Sequence, residues 1–256
     1  MKIIVCIKQV AARDSALRVN SQGKWLDESD LSYEMNEPDA YALEEALQLR
    51  EKLGGEVVVV CLGPQRAAQT IREALAKGAD RAIHIKMDAD TVLDALATAR
   101  LLAKAIEPEK PELILTGLQS DDLGYGQTGV VMAELLGYAH ATIVMEVEPQ
   151  ADSVRVKREL EDGWFQNTVL PLPVLLTIQS GIKRLRYATL MGIKKAKTKE
   201  VKTISAAQLG VDATPATLLK QVYLPQRTKQ SQILSGDPRN AARQLVEKLK
   251  FEARVI

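Results

Sequence analysis

Apolar runs and stretches of helical periodicity alternate along the first half of the chain. The apolar runs predict buried strands over residues 2–7, 57–62, 82–85 and 113–116. Between and after them, apolar residues recur at spacings of three and four, which predicts helices over 38–53, 65–77, about 89–106 and 130–136. Strands that alternate with helices at such short intervals are typical of a doubly wound parallel sheet.

The pattern changes after about residue 140. Strands are predicted there without intervening helices, over 142–147, 153–160, 164–170 and 174–178. Asp162 and Gly163 form a turn signal between the second and third of these strands. We therefore expect the segments to extend the parallel sheet as antiparallel strands. A loop over 184–190 follows, and then a basic run that we interpret as a solvated face: Lys194, Lys195, Lys197 and Lys199.

The last part of the chain has little regular pattern. Residues 209–238 contain several glycines and prolines and no stable period, and an irregular stretch of this length is unusual inside a compact domain. We expect an extended arm that lies on a partner subunit and ends in a short amphipathic helix over 240–251. The predicted division is therefore an α/β domain over 1–190 and a remainder with the arm over 191–256.

Composition excludes several classes of function. The 256 residues are 46% hydrophobic and 26% charged, with a net charge of +1, as in ordinary soluble globular proteins. This charge and an aromatic content of 4% argue against nucleic-acid binding, which needs a basic surface and stacking rings. No apolar run has the length of a membrane span, so we expect no embedding in a membrane. Because a strand is predicted from residue 2, we expect no signal or transit peptide and a cytoplasmic location.

The cysteines and histidines do not form a metal-binding pattern. Cys6 and Cys61 each lie near the end of an apolar run, and two cysteines without a neighbouring histidine cannot complete a structural zinc site. We expect both to be buried free thiols. His84 and His140 lie within or beside apolar runs, where core or edge histidines are more frequent than metal ligands. No metal site is predicted.

The strongest candidate site is the glycine-rich stretch 118–129, which joins the strand at 113–116 to the helix at 130–136. Gly124, Gly126 and Gly129 permit a positive φ or the close approach of a ligand. Gln127 and Thr128 lie where the helix should begin, and the unpaired N–H groups of a first helical turn suit a phosphate. The alternative is an ordinary capped turn that binds nothing.

The predicted topology favours a nucleotide site at this stretch. Ligands of doubly wound sheets bind beyond the carboxyl ends of the strands, at the point where the strand order reverses. There the stretch 118–129 would meet the strand ends at 6–10 and 62–64 and the helix start at 36–39. No Walker motif is present. The pattern G-x-G-x-x-G occurs only at 124–129, after the fourth strand instead of the first, so the NAD fingerprint is weak.

Short motifs spread over almost the whole chain add a family resemblance. They are Val5-Cys-Ile-Lys-Gln-Val10, Met35-Asn-Glu-Pro-Asp39, Leu43-Glu-Glu-Ala46, residues 74–81, and Arg186-Tyr-Ala-Thr-Leu190 followed by Gly192-Ile-Lys-Lys-Ala196. They resemble the β subunits of electron transfer flavoprotein. That family's signature hairpin is matched at 156–163, Gln166 and 173–177. Thr168 departs from it, because the signature prefers an aliphatic residue there, but the swap is conservative in a strand.

The resemblance implies a fold and a partner. The fold is a doubly wound, mostly parallel α/β sheet of the adenine-nucleotide α-hydrolase-like kind, extended by antiparallel strands, with a C-terminal arm. The implied assembly is a heterodimer. Its α subunit carries the redox FAD at or near the interface, and its β subunit holds a structural AMP and no catalytic residues. Such complexes accept electrons from flavin dehydrogenases, such as the acyl-CoA dehydrogenases of fatty acid β-oxidation, and pass them to a quinone oxidoreductase or another acceptor.

The resemblance also implies contact residues. By position, the family's AMP contacts are matched by Cys6, Asn36, Glu37, Pro38, Asp39, Leu62, Leu123, Gly124, Tyr125, Gly126, Gln127, Thr128, Gly129, Val130, Val131 and Ala133. Backbone N–H groups at 127–131 would suit the phosphate, and the backbone around Cys6 and Leu62 would suit adenine. The family has a loop that anchors in a dehydrogenase through a leucine at its tip, and Leu190 occupies that place. The alternative is a loop leucine that packs on its own domain.

Three other functions remain open. Relatives that bifurcate electrons bind a second FAD where others hold AMP, and they tend to carry an Asp-Gly-Asp-Thr-Ala-Gln turn. This chain differs at 121–127, where the bulky Tyr125 favours AMP. An enzyme that consumes an adenine nucleotide, such as an ATP-pyrophosphatase-like protein, would need a phosphate loop near the first strand, and residues 10–14 offer none. The last alternative is an interaction scaffold without a ligand.

Overall fold

The computed structural model describes residues 1–89, 91–225 and 231–256 of the chain. The strands are β1 (Lys2–Ile7), β2 (Gln9–Ala11), β3 (Tyr33–Met35), β4 (Glu56–Gly63), β5 (Arg81–Lys86), β6 (Leu113–Gly117), β7 (Ala139–Pro149), β8 (Ser153–Glu159), β9 (Phe165–Pro171), β10 (Val174–Ile178) and β11 (Val201–Ser205). The α-helices are α1 (Glu37–Leu53), α2 (Ala68–Lys77), α3 (Ala95–Ile106), α4 (Thr128–Leu136), α5 (Leu190–Ala196) and α6 (Pro238–Glu247).

A nine-stranded sheet carries the fold, in the order β11-β5-β4-β1-β6-β10-β7-β8-β9. β1 pairs in parallel with β4 on one side and with β6 on the other. The chain therefore builds the sheet outward from β1 through β4 and β5, and then continues on the opposite side from β6. This reversal beside β1 is the switch point of a doubly wound fold, and it confirms the predicted fold class.

The central strands are apolar on both faces because helices cover both faces of the sheet. Ile3 and Val5 belong to a core cluster that includes residues of α1 and α2, whereas Ile4 belongs to a second cluster with residues of α3 and α4. All three side chains are fully buried, and each such burial contributes roughly 1.5–3 kcal/mol to folding. The two clusters fix the strands, and their carboxyl ends are left to form a site.

The prediction that every strand after residue 140 runs antiparallel to the parallel sheet is wrong for β7 and β10. β10 lies between β6 and β7 and pairs in parallel with both. The antiparallel extension consists of the β7–β8 and β8–β9 ladders. The physical reason is burial: all five residues of β10 are buried, as in an interior strand of a parallel sheet. The hairpin of β8 and β9 carries the chain out and back, so that β10 can occupy that interior position.

The third helix begins later than its periodicity suggested. The prediction started it near residue 89, but α3 begins at Ala95. The Asp94 carboxylate accepts a hydrogen bond from the Ala97 N–H at 2.8 Å and caps the helix, as acidic residues commonly do. Val92 and Leu93 precede this cap, so their helical spacing from the later apolar residues was fortuitous. Asp90 lies outside the described residues.

Short elements account for the other differences. β2 and β3 lie at the two ends of the stretch 11–36 and form a two-stranded antiparallel ribbon. Each strand has three residues, which are too few to show a periodic pattern. α5 replaces the end of the predicted loop and the start of the basic run. Thr189 caps it by accepting a hydrogen bond from the Gly192 N–H. β11 adds a parallel edge strand beside β5, which its half-polar sequence did not reveal.

The chain divides into two compact units, residues 1–222 and 223–256. In the second, Asp237 caps α6 by accepting hydrogen bonds from two backbone N–H groups, and a π-helical turn continues α6 over Lys248–Glu252, in agreement with the helix predicted at 240–251. Part of the predicted arm, 226–230, lies outside the described residues. The packing of 191–256 on a partner stays a prediction. None of the helices in the described ranges combines the length and hydropathy needed to cross a bilayer.

Candidate functional site

A cavity of about 670 Å³ lies at the carboxyl ends of β1, β4 and β6. Residues that end or follow these strands line it, at 6–9, 62–64 and 116–120. The glycine-rich turn, the start of α1, and parts of 20–28 and 87–98 complete the lining. The structure thus brings together the strand ends, the helix start and the turn that the sequence placed at the switch point.

The glycine-rich turn depends on its glycines. Gly124 and Gly126 have φ values of 63° and 62°, a backbone region that favours glycine. A Cβ on Gly129 would lie 2.7 Å from Thr177 Cγ2 and 2.8 Å from Thr116 Oγ1, so the start of α4 packs directly on the sheet. In the described chain, Gln127 makes no side-chain capping bond to α4. The first N–H groups of this helix therefore remain available to an anion at the cavity.

Asn36 holds the turn against α1. Its Nδ2 donates to the carbonyl oxygen of Gln119 at 3.0 Å, and its Oδ1 accepts from the Asp121 N–H at 2.9 Å. Its backbone N–H donates to the carbonyl oxygen of Lys8 at 2.9 Å. Asn36 is almost completely buried. It therefore acts on the site by fixing the turn and the end of β1 in place.

Asp39 joins the same elements through a buried carboxylate. Oδ2 accepts from the Lys8 N–H at 2.8 Å, and Oδ1 accepts from the Gly117 N–H at 2.9 Å. Burial raises the pKa of Asp39 to about 7, although both N–H donors act in the opposite direction. The carboxylate joins the ends of β1 and β6 to the first turn of α1, and all three segments line the cavity.

Two cations neutralise the acidic start of the turn. The Lys8 ammonium lies 2.6 Å from Asp122 Oδ1, and Arg13 pairs with Glu37 and Asp121. Burial acts to raise the pKa of Asp122, but the Lys8 ammonium holds it below its usual range. Without these partners the two aspartates would repel a phosphate at α4. The pairs therefore keep the cavity compatible with an anionic ligand.

The predicted nucleotide contacts divide into two groups. Those that line the cavity are Cys6, Asn36, Asp39, Leu62, Leu123, Tyr125, Gly126, Gln127, Thr128 and Gly129. Those outside its lining are Glu37, Pro38, Gly124, Val130, Val131 and Ala133. Ala133, for example, is buried in the core cluster that covers one face of the sheet. Which of these residues touch a ligand stays a prediction.

Three side chains in the lining were missed by the sequence analysis: Lys8, Trp25 and Arg66. The signal for Lys8 and Arg66 was their place just after β1 and β4, whereas Trp25 lies in a stretch without periodicity. The Arg66 guanidinium lies 4.3 Å from the ring centroid of Tyr33 and donates to Glu28 at 2.9 Å. Within the described residues, its buried Nε and Nη1 have no hydrogen-bond partner, and the Glu28 carboxylate balances its charge.

The cysteines and the buried histidine have structural roles. Cys6 and Cys61 are buried free thiols, as predicted. Burial raises the pKa of both, to about 12 for Cys61, so neither is a thiolate nucleophile near neutral pH. His84 is buried, and its Nε2 lies 3.1 Å from the carbonyl oxygen of Gly63. Across the ranges that the structure covers, no three His, Cys, Asp or Glu side chains gather in a set suited to a metal ion.

Leu190 lies on the surface at the start of α5. Its side chain is 81% exposed, and its neighbours Tyr187 and Met191 are 92% and 63% exposed. The alternative of a leucine that packs on its own domain is therefore wrong. We call residues 186–193 the docking turn, after the docking role that the family resemblance predicts for Leu190.

The chain is similar to known proteins along nearly its whole length. The profile of the electron transfer flavoprotein domain matches residues 24–209. The chain is 36% identical to the electron transfer flavoprotein subunit beta of Methylophilus methylotrophus, over 98% of this chain and 99% of the relative. It is 38% identical to that of Bradyrhizobium diazoefficiens over the full length of both. It is also 36% identical to that of Bos taurus, over 100% of this chain and 99% of the relative.

Proposed function

The chain belongs to the electron transfer flavoprotein β-subunit family, and on that premise we propose that it pairs with an α subunit to form an electron carrier. The heterodimer would take electrons from flavin dehydrogenases and deliver them to a quinone oxidoreductase or another acceptor. FAD, bound mainly by the α subunit at or near the interface, supplies the redox chemistry. The β chain contributes a structural AMP site, a docking turn and an arm over 209–238 for the α subunit.

The cavity at the switch point is the observation that carries the AMP proposal. The free N–H groups at the start of α4 and the Thr128 hydroxyl suit the phosphate, and the pairing of Lys8 with Asp122 reduces the repulsion that the turn would exert on it. The backbone around Cys6 and Leu62 suits adenine, since both residues line the cavity. A bound AMP would stabilise the fold because it binds the native state alone.

The docking turn supports the proposal of a dehydrogenase partner. Exposed apolar side chains grouped on one surface turn are typical of a binding site, and Tyr187, Leu190 and Met191 are grouped in this way. We propose that Leu190 enters an apolar pocket of the dehydrogenase. A small apolar anchor gives fast and reversible association, as an electron carrier with several partners requires.

A second FAD in the cavity is the second candidate. The cavity continues past the glycine-rich turn to Trp25 and to the segment before α3, so a nucleotide larger than AMP would find further lining residues there. In that case the chain would be the β subunit of an electron-bifurcating flavoprotein.

The nucleotides released from the denatured heterodimer test both candidates. The chain is copurified with its α subunit, the complex is denatured, and the released nucleotides are identified by chromatography. We expect one FAD and one AMP per heterodimer. Two FAD and no AMP would establish the bifurcating alternative, and FAD alone in a ratio of one would contradict both assignments of the cavity.

Gly129→Ala connects the result to the cavity. Its Cβ would overlap Thr116 and Thr177 and displace the start of α4, so we expect AMP to be absent from this variant. Gly137→Ala is the matched control. Gly137 lies at the other end of α4 with φ of 68°, and a Cβ there meets nothing within 4 Å. This control strains the helix by about 1–2 kcal/mol but should retain AMP. Loss of AMP from both variants would indicate general destabilisation instead of a site at Gly129.

A further inference from the structure

The docking turn is fastened to the rest of the protein by one arginine. The Arg186 guanidinium donates to Glu44 through Nε at 2.8 Å and Nη2 at 3.0 Å. It donates to Glu51 through Nη1 at 2.6 Å. The Arg186 backbone N–H also donates to Glu44, at 3.2 Å. Both glutamates belong to α1, so a single side chain spans nearly two turns of that helix.

We call the contacts of Arg186 with Glu44 and Glu51 the clamp. The two glutamates of the clamp differ in burial. The Glu44 side chain is buried, whereas about half of the Glu51 side chain is exposed. Gln48 donates a further hydrogen bond to Glu44 at 2.8 Å, which helps to fix the buried carboxylate. Planar guanidinium and carboxylate groups in paired contact define an orientation as well as a distance. The clamp therefore fixes the direction in which the chain leaves residue 186.

A second fastening holds the far side of the turn. A Cβ on Gly192 would overlap the carbonyl oxygen of Ala76 in α2, so α5 approaches the α2 backbone closely. Arg72 of α2 donates to the carbonyl oxygen of Ala196 at 2.6 Å, and Lys199 donates to that of Leu75 at 3.0 Å. The turn is thus held at both ends while Tyr187, Leu190 and Met191 stay exposed between them.

We propose that Arg186 is a positioning residue for dehydrogenase docking: its clamp on Glu44 and Glu51 orders the docking turn before the partner arrives. This inference rests on the proposed docking function. An exposed apolar turn that is already ordered loses less conformational entropy when it binds, so its association is tighter and faster. Arg186 touches neither the flavin nor the partner in this account; it acts through the backbone that carries Leu190.

The test uses the heterodimer and variants that differ in which contact of the clamp they remove. Arg186→Lys keeps a cation for buried Glu44 but loses the spread between the two glutamates. Glu51→Gln weakens only the contact between Arg186 and Glu51 and leaves Glu44 paired. This variant should therefore fold even if Arg186→Lys does not. Arg184→Lys is the matched control, since Arg184 is an exposed arginine two residues away. Leu190→Ala tests the docking surface itself.

Two readouts are needed. Amide hydrogen exchange over 186–193 measures the order of the turn without a partner. Steady-state reduction of the heterodimer by a purified acyl-CoA dehydrogenase and its acyl-CoA gives KM for the heterodimer and kcat. For Arg186→Lys we expect exchange to be faster by about tenfold and KM to rise several-fold, with kcat unchanged. Glu51→Gln should shift both quantities in the same direction by less, and Arg184→Lys should shift neither.

The outcomes separate the clamp from the docking surface. If Leu190→Ala raises KM but the clamp variants change neither exchange nor KM, the positioning role of Arg186 is wrong. Faster exchange with an unchanged KM would also overturn it, because the order of the turn would then not matter for docking. If Leu190→Ala leaves KM unchanged, the proposed docking surface is itself wrong, and the inference about Arg186 fails with it.

Discussion

Asp39 shows how one residue can shape the site through the backbone of its neighbours. Its carboxylate is buried at the place where β1, β6 and α1 meet, and it accepts one backbone N–H from each strand end. The charge carries a desolvation penalty, which raises the pKa to about 7. The sequence marked Asp39 through its resemblance to a nucleotide contact. The structure adds a further role, which is to hold together the elements that form the cavity.

This raised pKa predicts a pH-dependent contribution to stability. In the unfolded chain Asp39 titrates near its ordinary value of about 4, so between about pH 4 and 7 the native state binds one more proton than the unfolded state. Stability therefore falls as pH rises through this window, by up to about 1.4 kcal/mol per pH unit from this group, and levels off above pH 7. Asp39→Asn should remove that slope. Urea unfolding of both proteins from pH 5 to 8 measures it.

The control and the contrary result are direct. Asp30→Asn makes the same chemical change at an exposed aspartate outside the cavity lining, and it shows any general effect of the substitution. If the free energies of unfolding of wild type and Asp39→Asn run parallel across the whole pH range, then Asp39 does not hold a proton near neutrality in the native state.

At the scale of elements, α3 is fastened by its capping residue. Asp94 Oδ1 accepts from Ala97, and Oδ2 accepts from the N–H groups of Ala216 and Thr217 at 2.7 and 2.9 Å. The same segment is bonded at a second point, near the lining residues Gln22 and Lys24. There the Val222 N–H donates to the carbonyl oxygen of Gly23 at 2.8 Å. Residues 212–222 therefore follow a fixed path, although they contain no helix or strand.

Asp94→Ala should loosen both the helix start and that path. The variant loses a helix cap, worth about 1 kcal/mol, and the hydrogen bonds to 216 and 217, each worth about 0.5–1.5 kcal/mol. We expect a loss of about 2–3 kcal/mol in the free energy of unfolding, with faster proteolysis within 212–222. Asp94→Asn keeps one acceptor oxygen and should fall between. A loss below about 0.5 kcal/mol, as for ordinary surface substitutions, would show that these bonds do not hold the segment.

The sequence predicted those elements whose burial is complete. β1, β4, β5 and β6 are apolar runs because both faces of the sheet are covered, and their alternation with α1, α2 and α4 was sufficient for the fold class. The start of α3 was misplaced because Val92 and Leu93 imitate helical spacing ahead of the true cap at Asp94. β10 was given the wrong direction because the pattern of a strand contains no information about its neighbours.

The sequence predicted which segments meet at the site but not the contacts of their side chains. Parallel strands bring their carboxyl ends together, so the approach of the turn 118–129 to Cys6 and Leu62 follows from topology. What topology cannot give is the use of each side chain. Asn36 bonds to the backbone of the turn, and Lys8 pairs with Asp122. Local sequence does not predict these contacts, because the partners are up to 114 residues away in the chain.

At the scale of the whole molecule, α1 connects the two proposed functional surfaces. Asn36 at its N-terminus and Asp39 in its first turn fix the cavity, and Glu44 and Glu51 further along the helix hold the docking turn. The 17 residues of α1 span about 25 Å at 1.5 Å per residue. A buried helix of this length is a rigid link, so both surfaces keep their places on one frame.

The burial of the core predicts that residues 1–222 fold without the rest of the chain. Every buried hydrophobic residue among those described lies between Ile3 and Ala196, so residues 223–256 contribute no buried hydrophobic side chain. The free energy of unfolding of a chain truncated after Val222 should therefore stay within about 1 kcal/mol of the full-length value, as for changes that leave the core intact. Association with the α subunit should weaken strongly, because residues 223–238 of the proposed arm and α6 are lost. Urea unfolding and size-exclusion chromatography of the mixed subunits measure the two effects.

A full-length variant tests whether the apolar side chains of α6 themselves contribute to association with the α subunit. Leu245 and Val246 are each about half exposed, so Leu245→Ser with Val246→Ser should leave the unfolding of 1–222 unchanged while it weakens association with the α subunit. If the truncated chain is unfolded, the two-unit division does not describe folding. If it is folded and binds the α subunit as tightly as the full chain, residues 223–256 are not the contact, and the heterodimer must form through residues 1–222 alone.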